Sequence, residues 1–364
     1  MTGRPPILVT GGAGFIGSHV CKQLSAAGYL PIAFDNLSRG HREAVRWGPL
    51  VQGDIRDAVD LRSAFAGHRP VAILHLAALA YVSESVADPS AYYSNNVAGT
   101  LALLDAAREW GVGQMIFSSS CATYGEPDAV PISEASPQRP VSPYGRTKRI
   151  GEQILEDYAG AYGLRSVILR YFNACGCDPE GEIGEWHTPE THLVPRLLMA
   201  ADGTIPSVDI FGDDYDTPDG TCIRDYVHVS DLARAHRLAL DYLMRGGESF
   251  AANIGSGRGI SVRELLAAVS RRAGRAVPIR IMPRRPGDPA MLYADPSLAR
   301  QKIGFATELS DIETILDTAA AGLAARPTQQ GARVTRPPLS AVPSAARNPG
   351  PAPSIWKSAA WGGD

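Results

Sequence analysis

Short apolar runs alternate with longer amphipathic stretches through the first half of the chain. Ile7-Leu8-Val9-Thr10 has the pattern of a buried strand, followed at once by a glycine cluster and an apolar-periodic helix from Phe15 to about Ala27. A second strand, Leu30 to Phe34, ends at Asp35, and Leu50-Val51 runs out near Asp54. Ala72 to Leu76 and Gln114 to Phe117 repeat the pattern, the latter leading into Ser118-Ser119-Ser120. Helical periodicity fills the gaps, notably Val97 to Trp110 and Pro143 to Tyr162, and another apolar run, Ser166 to Leu169, comes after. Strands alternating with helices at this spacing predict βαβ units. The expected fold class is therefore α/β, a Rossmann-like doubly wound parallel sheet.

The regularity stops near residue 175. Polar Gly/Pro-rich stretches at 176–190 and 212–224 precede helical patterns at 230–244 and 261–274. This predicts a dinucleotide-binding domain over 1–175, with a return segment near 226–254, and a smaller, discontinuous C-terminal substrate lobe over 176–325. From Pro327 to Asp364 there are seven prolines, four basic residues and one acid, a composition expected to leave 326–364 as a disordered tail unless Trp356 or Trp361 docks.

Composition changes this picture only by exclusion. Hydrophobic residues at 45% and charged ones at 20% are ordinary for a globular protein. With 35 basic and 38 acidic residues the net charge is -3, which offers no basic field for nucleic acid or an anionic membrane. No apolar stretch approaches the ~18 residues of a membrane span, and the N-terminus runs almost directly into a strand, so a cytoplasmic location is expected. The cysteines, Cys21, Cys121, Cys175, Cys177 and Cys222, are odd in number and contain no C-x-x-C pair; free thiols and no metal site are expected. His19, His75 and His228 sit at element boundaries, where capping or packing is the expected role.

The candidate chemistry begins at Gly11, Gly14 and Gly17, which follow a strand and open a helix. Glycine permits the tight turn and lets backbone amides approach a pyrophosphate at the positive helix N-terminus. Asp35 lies eighteen residues past Gly17 at a strand end, where a carboxylate accepts hydrogen bonds from a ribose diol and repels a 2′-phosphate. NAD is preferred over NADP on that ground. Asp54 either reaches the adenine amine or is a turn residue. Tyr144 and Lys148, spaced i, i+4, project from one helix face. A phenol of ordinary pKa near 10 is a poor base at neutral pH, and a neighbouring ammonium together with a nicotinamide cation would lower it. Ser120, after its strand, offers a hydroxyl that can relay a proton.

Taken together, these residues resemble the extended short-chain dehydrogenase/reductase family, most closely its UDP-glucose 4-epimerases, over about residues 7 to 323. The resemblance rests on Val9-Thr10-Gly11-Gly12-Ala13-Gly14-Phe15-Ile16-Gly17, Asp35-Asn36-Leu37, Asn95-Asn96-Val97-Ala98-Gly99-Thr100, Ser142-Pro143-Tyr144-Gly145 and Arg170-Tyr171-Phe172-Asn173. The segments Phe211-Gly212-Asp213-Asp214-Tyr215 and Arg224-Asp225-Tyr226-Val227-His228-Val229 are more specific to the epimerases. It implies an NAD that is bound and not consumed. Tyr144 would take the proton of the sugar 4-hydroxyl as hydride leaves C4, the 4-keto sugar would turn about its phosphate link, and hydride would return to the other face. Ser120 would bridge hydroxyl and tyrosine, and Lys148 would hold the nicotinamide ribose. The implied cofactor contacts add Phe15, Ile16, Asn36, Ile55, Leu76, Ala77, Ala78, Asn96, Ser118 and Phe172. The implied nucleotide-sugar contacts are Asn173, His192, Leu193, Arg224, Arg285 and Asp288, with the arginines suited to a diphosphate as planar, charge-assisted donors. A homodimer is a further implication.

Two departures from the family pattern stand out. Ala80 replaces a cofactor-contacting lysine, with Tyr81 beside it as a possible substitute. Leu292 stands where some epimerases carry a bulky tyrosine against the sugar C2 substituent, so UDP-GlcNAc/UDP-GalNAc is a conceivable second pair. The competing readings are another nucleotide-sugar epimerase, acting on UDP-xylose/UDP-arabinose or UDP-glucuronate, and a non-catalytic NAD-binding regulator. A 4,6-dehydratase needs an acid–base pair just after Ser120, where Cys121 and Ala122 stand instead.

Overall fold

The computed structural model describes residues 3–324 apart from Thr188 and Pro286. The expected tail, with Trp356 and Trp361, lies outside the described residues. In chain order the strands are β1 (Pro6–Thr10), β2 (Leu30–Asp35), β3 (Leu50–Gln52), β4 (Ala72–His75), β5 (Gln114–Ser120), β6 (Arg165–Tyr171), β7 (Asn173–Cys175), β8 (Val208–Phe211), β9 (Ile223–His228), β10 (Phe250–Ile254), β11 (Gly259–Ser261), β12 (Ile279–Met282) and β13 (Met291–Leu292). Helices α1 (Phe15–Ala26), α2 (Ala58–His68), α3 (Val82–Ala87), α4 (Pro89–Tyr93), α5 (Gly99–Glu109) and α6 (Pro143–Tyr162) connect the first strands. The later ones are α7 (Leu193–Asp202), α8 (Val229–Met244), α9 (Val262–Ala273), α10 (Ser297–Ile303) and α11 (Ile312–Ala324).

One seven-stranded parallel sheet runs in the order β10-β6-β5-β4-β1-β2-β3. Its strands bury alternate residues on opposite faces, as the two-residue period of a strand requires. Ile7, Val9, Leu74, Ile116 and Val167 enter one core with α1 and α8. Leu8, Ile73, Met115, Phe117 and Ile168 enter the other, with residues of α2, α5 and α6. The burial of each such side chain contributes about 1.5–3 kcal/mol. Chain direction across the sheet reverses at β1 and β4, and a ligand crevice forms beyond the carboxyl ends of strands at such a switch point. The expected strands match, and the helix expected at 230–244 is α8, which packs against this sheet, α1 and the later α10.

The helix expected from Val97 starts differently. The chain passes from α4 through a π-helical turn, Ser94–Ala98, into α5, and this wide turn carries Asn96 inward. Past residue 172, β7, β9, β11 and β13 form a small mixed sheet, and β8 pairs β12. A third core, including Leu197, Leu265 and Leu316, gathers α7, α9 and α11 around them. Among the described residues no helix is long and apolar enough to cross a membrane.

Candidate active site

A cavity of about 500 Å³ opens at the switch point, within the usual range for a ligand site. Its floor is the β1–α1 turn. Gly11 adopts φ +72°, and a Cβ there would stand 2.7 Å from the amide nitrogen of Ala77. A Cβ on Gly17 would overlap the Gly11 carbonyl oxygen and stand 2.8 Å from its carbon. Gly11, Gly14, Phe15, Ile16 and Gly17 line the cavity, so the first-turn amides of α1, which have no partner within the helix, face it. Asp35, 8% exposed, accepts from Ala13 N at 3.0 Å and Leu37 N at 2.8 Å. Burial pushes its carboxyl pKa up while these amides hold it down. The closed glycine cradle and the cavity-facing carboxylate fit a dinucleotide with a free ribose diol. NAD meets that description.

Asp54 does not line the cavity, although its neighbours Gly53 and Ile55 do. It pairs with Arg56 at 2.7 Å and accepts from Asn36 at 3.0 Å; the Arg56 guanidinium holds its carboxyl well below the usual carboxylate range. Asn96 also lies behind the wall. Its side chain accepts from Leu79 N (2.9 Å) and donates to Leu79 O (2.9 Å) and Thr147 Oγ1 (3.0 Å), fixing the segment in which Leu76, Ala77, Ala78 and Ala80 face the cavity.

The opposite wall is built by β5 and α6. Ser142 caps α6 by accepting from Gly145 N at 3.1 Å, and Pro143 occupies its first turn. A Cβ on Gly145 would overlap the Ala122 carbonyl, so a glycine here lets α6 lie close to the strand end. Tyr144 and Lys148 on the inner face of α6 thereby line the same cavity as Ser120. Burial raises the Tyr144 phenol's pKa well above its ordinary value, while a hydrogen bond with Ser120 works downward. The lowering expected from a neighbouring ammonium is thus outweighed here by burial. Burial lowers the Lys148 ammonium to about 8, against the pull of Glu152. Lys148 Nζ donates to the Ser118 carbonyl at 2.6 Å. Ser118 itself lies beneath the wall, its hydroxyl 2.8 Å from His236 Nε2.

On the remaining side Phe172, Asn173, His192, Arg224, Asp288 and Leu292 line the cavity. Arg224 pairs with Asp288. Phe172 and Leu292 pack with Tyr124 and Ala294. Burial opposes a charge on His192, yet the hydrogen bonds it donates to Glu185 and Glu190 push its imidazole up to about 10. Two expected residues lie elsewhere: Leu193 starts α7 and packs against the third core, and Arg285 stacks on Phe211 with its guanidinium 3.8 Å from the ring centroid, in an adjacent groove. Conversely, Arg39, Glu185 and His187 line the cavity without having been singled out from sequence, and Tyr81, named as a substitute for the lysine missing at Ala80, lines it too. Arg39 sits 5.4 Å over the Tyr81 ring. The sequence signal for Arg39 is its place four residues past Asp35; that for Glu185 and His187 is the spacing E-x-H-x-x-E-x-H over 185–192. The boundary histidines do cap and pack: His228 accepts from Ser230 N at 3.1 Å, and His75 bridges Thr10 (2.7 Å) and Thr100 (2.9 Å).

Comparison with known proteins agrees with this geometry. Residues 7–255 match the model of the NAD dependent epimerase/dehydratase family. The chain is 55% identical over 313 residues to the UDP-glucose 4-epimerase of Rhizobium meliloti (strain 1021), covering 86% of this chain and 95% of the relative. The structure is similar to that of UDP-glucose 4-epimerase from Brucella ovis in complex with NAD, at 56% identity and TM-score 0.85, covering 87% of this chain and 98% of the other. It is similar also to UDP-glucose 4-epimerase from Bifidobacterium longum in complex with NAD+ and UDP, at 38% identity and TM-score 0.84, covering 88% and 98%.

Proposed function

Since the chain belongs to the NAD dependent epimerase/dehydratase family, we infer that it inverts C4 of UDP-hexoses, interconverting UDP-glucose and UDP-galactose through a 4-keto sugar. The observation that carries this reading is the convergence of Ser120, Tyr144 and Lys148 with the glycine turn and Arg224 on one cavity. Bound NAD supplies reversible oxidation and reduction at the sugar carbon.

The chain's own residues do the rest. Tyr144 Oη takes the proton of the sugar 4-hydroxyl and later returns it, with Ser120 Oγ bridging the two oxygens. Lys148 holds the nicotinamide ribose and stabilises the phenolate. The first-turn amides of α1 hold the pyrophosphate, and Asp35 accepts from the adenosine ribose diol. Arg224 and His192 donate to the substrate diphosphate, Arg224 exchanging its Asp288 partner for phosphate oxygens. Asn173 and Asp288 contact the nucleotide sugar, and Phe172 and Leu292 form the wall against which the 4-keto sugar turns. Leu292 in place of a larger side chain leaves room at C2, which supports UDP-GlcNAc/UDP-GalNAc as a second pair.

In this reading residues 1–175 with the return near 226–254 hold NAD, and 176–325 hold the nucleotide sugar. The protein works as a homodimer in the cytoplasm; the exposed Leu101, Trp110 and Tyr162 on the α5–α6 face supply apolar surface for pairing, and five free cysteines suit a reducing compartment. The test incubates purified protein with UDP-galactose and no added cofactor. UDP-glucose is expected to form, and Tyr144→Phe is expected to keep its NAD while losing most turnover. No inversion by the unmodified protein, or near-full turnover by the variant, refutes the assignment.

A further inference from the structure

Four side chains on the loop before α7 meet in a way the reaction does not require. Glu185, His187, Glu190 and His192 each present one ligand-type atom, and these atoms all lie within 4.8 Å of one another. His192 Nδ1 is 2.7 Å from a Glu185 carboxylate oxygen and 3.0 Å from one of Glu190, and His187 Nδ1 is 3.2 Å from Glu185. Both carboxylates are buried, at 4% and 8% exposure. Neighbouring Asp178, Glu180 and Glu182 form a second cluster of different character, closing on the Lys22 ammonium at 2.5–2.7 Å. There the positive charge is an ammonium. In the first cluster two imidazole nitrogens meet the carboxylates, and imidazole nitrogens are metal ligands as well as hydrogen-bond partners.

We propose that Glu185, His187, Glu190 and His192 bind one divalent transition cation of the zinc class, with both histidines coordinating through Nδ1. Two nitrogens and two carboxylate oxygens form a four-coordinate donor set suited to zinc, whereas the hard cations magnesium and calcium prefer all-oxygen cages. Ligands at about 2.0–2.2 Å from a shared ion stand roughly 3.4 Å apart at tetrahedral angles. The separations of 2.7, 3.0 and 3.2 Å therefore need to open by about 0.2 to 0.7 Å, and any pair near the 4.8 Å limit of the cluster needs to close.

The loop is already braced from outside. His41 Nε2 meets the Trp186 carbonyl at 2.9 Å, Arg46 donates to the Glu182 carbonyl at 2.8 Å, and Lys22 grips 178–182. Such bracing lowers the ordering cost of coordination. The ion ties down the aromatic neighbours too: the His187 ring lies 6.1 Å from Phe15 and 6.2 Å from Tyr81, both on the cavity wall. With Nδ1 of His192 on the metal, its Nε2–H stays available to a ligand in the cavity. The site is thus structural, a clasp joining the loop to the cavity wall, and it stands whether or not the reaction is as assigned above.

The test is metal analysis and cobalt substitution on the full-length, NAD-loaded protein. Protein stripped with a chelator and titrated with Co²⁺ should take up one equivalent and develop a visible d–d band of four-coordinate intensity, which Zn²⁺ displaces. Glu190→Gln and His187→Ala should each weaken Co²⁺ at least tenfold and remove the band, while Glu182→Gln in the Lys22 cluster leaves it. NAD content and far-UV circular dichroism report whether each variant is folded. If either fails to fold, the unmodified protein's stoichiometry and its Zn²⁺-dependent rise in Tm carry the decision. No stoichiometric uptake, or uptake that folded Glu190→Gln and His187→Ala leave unchanged, overturns the proposal.

Discussion

Glu152→Gln probes the ion pair beneath β5, the strand that ends at Ser120. Glu152 is fully buried and sits one helical turn past Lys148 on α6. Its carboxylate accepts from Ser119 Oγ at 2.5 Å, from Arg170 at 2.7 and 3.0 Å, and from Gln138 at 2.8 Å. An amide of the same shape keeps one accepting oxygen and turns an NH₂ toward groups that are themselves donors, leaving the Arg170 charge, 5% exposed, without its counter-ion. Breaking a buried pair from one side costs about 3–5 kcal/mol. Removing the Glu152 charge also removes the attraction that raises the Lys148 pKa, so a group already lowered to about 8 by burial falls further. In the proposed reaction Lys148 acts as a cation, so activity is lost as pH rises through its pKa, and the alkaline limb of kcat/KM must move to lower pH. The assay pairs urea denaturation with a pH series of UDP-galactose conversion. The double variant Glu152→Leu/Arg170→Met separates the two effects: it removes both buried charges, so it regains much of the stability but keeps the displaced limb. A stability loss under about 1 kcal/mol, or an unmoved alkaline limb in Glu152→Gln, refutes the reasoning.

Gly17→Ala places a Cβ against the carbonyl of Gly11 and 3.0 Å from Gly12 Cα, all backbone, so the turn must shift; the purified variant should contain little NAD by chromatography of the denatured extract, and a full complement would refute the cradle. Burial lowers His75 to about 3 and His236 to about 4. The unfolded chain binds these protons near pH 6.5 and the fold does not, so stability is fully present above about pH 6.5 and falls as pH drops toward 4, by about 2 kcal/mol per histidine at about pH 5. Urea midpoints across that window should decline, and His236→Gln should flatten the slope; an unchanged slope contradicts the assignment. Leu292→Tyr narrows the wall beside the proposed sugar site, and the ratio of UDP-GlcNAc to UDP-galactose turnover should fall about 10- to 200-fold, the 1–3 kcal/mol such a contact discriminates; an unaltered ratio rules out this wall as the determinant.

Much of the nucleotide half was legible because its signals are local. The glycine spacing after β1, the aspartate ending β2, the serines ending β5 and the Tyr144–Lys148 pair each reflect a backbone or helix-face requirement confined to a few residues. The second half was less legible. That α8 packs against α1 and that β10 pairs β6 depend on contacts between segments far apart in sequence. Among the site residues, Asp54, Asn96 and Ser118 lie just behind the cavity, because period and spacing locate a residue on an element and not the direction of its last rotatable bonds. Arg285 shows the same limit, since Phe211 across the groove draws its guanidinium away. Cysteine spacing, the basis for expecting no metal, says nothing about E-x-H-x-x-E-x-H in a loop.

The sequence by itself thus determined the alternation of strands and helices, the glycine turn after β1, the aspartate that ends β2 and the placing of Tyr144 and Lys148 on one helix face. Each is encoded within one element, by glycine's tolerance of positive φ, by strand and helix periodicity, or by the i, i+4 geometry of a helix. Only the tertiary structure decided that Glu152 and Arg170 pair beneath the active strand, that burial sets Lys148 near 8 and Tyr144 high, and that two glutamates and two histidines converge beside Phe15 and Tyr81. Desolvation and ion pairing depend on which surfaces the folded chain takes out of water, and no window along the sequence contains that information.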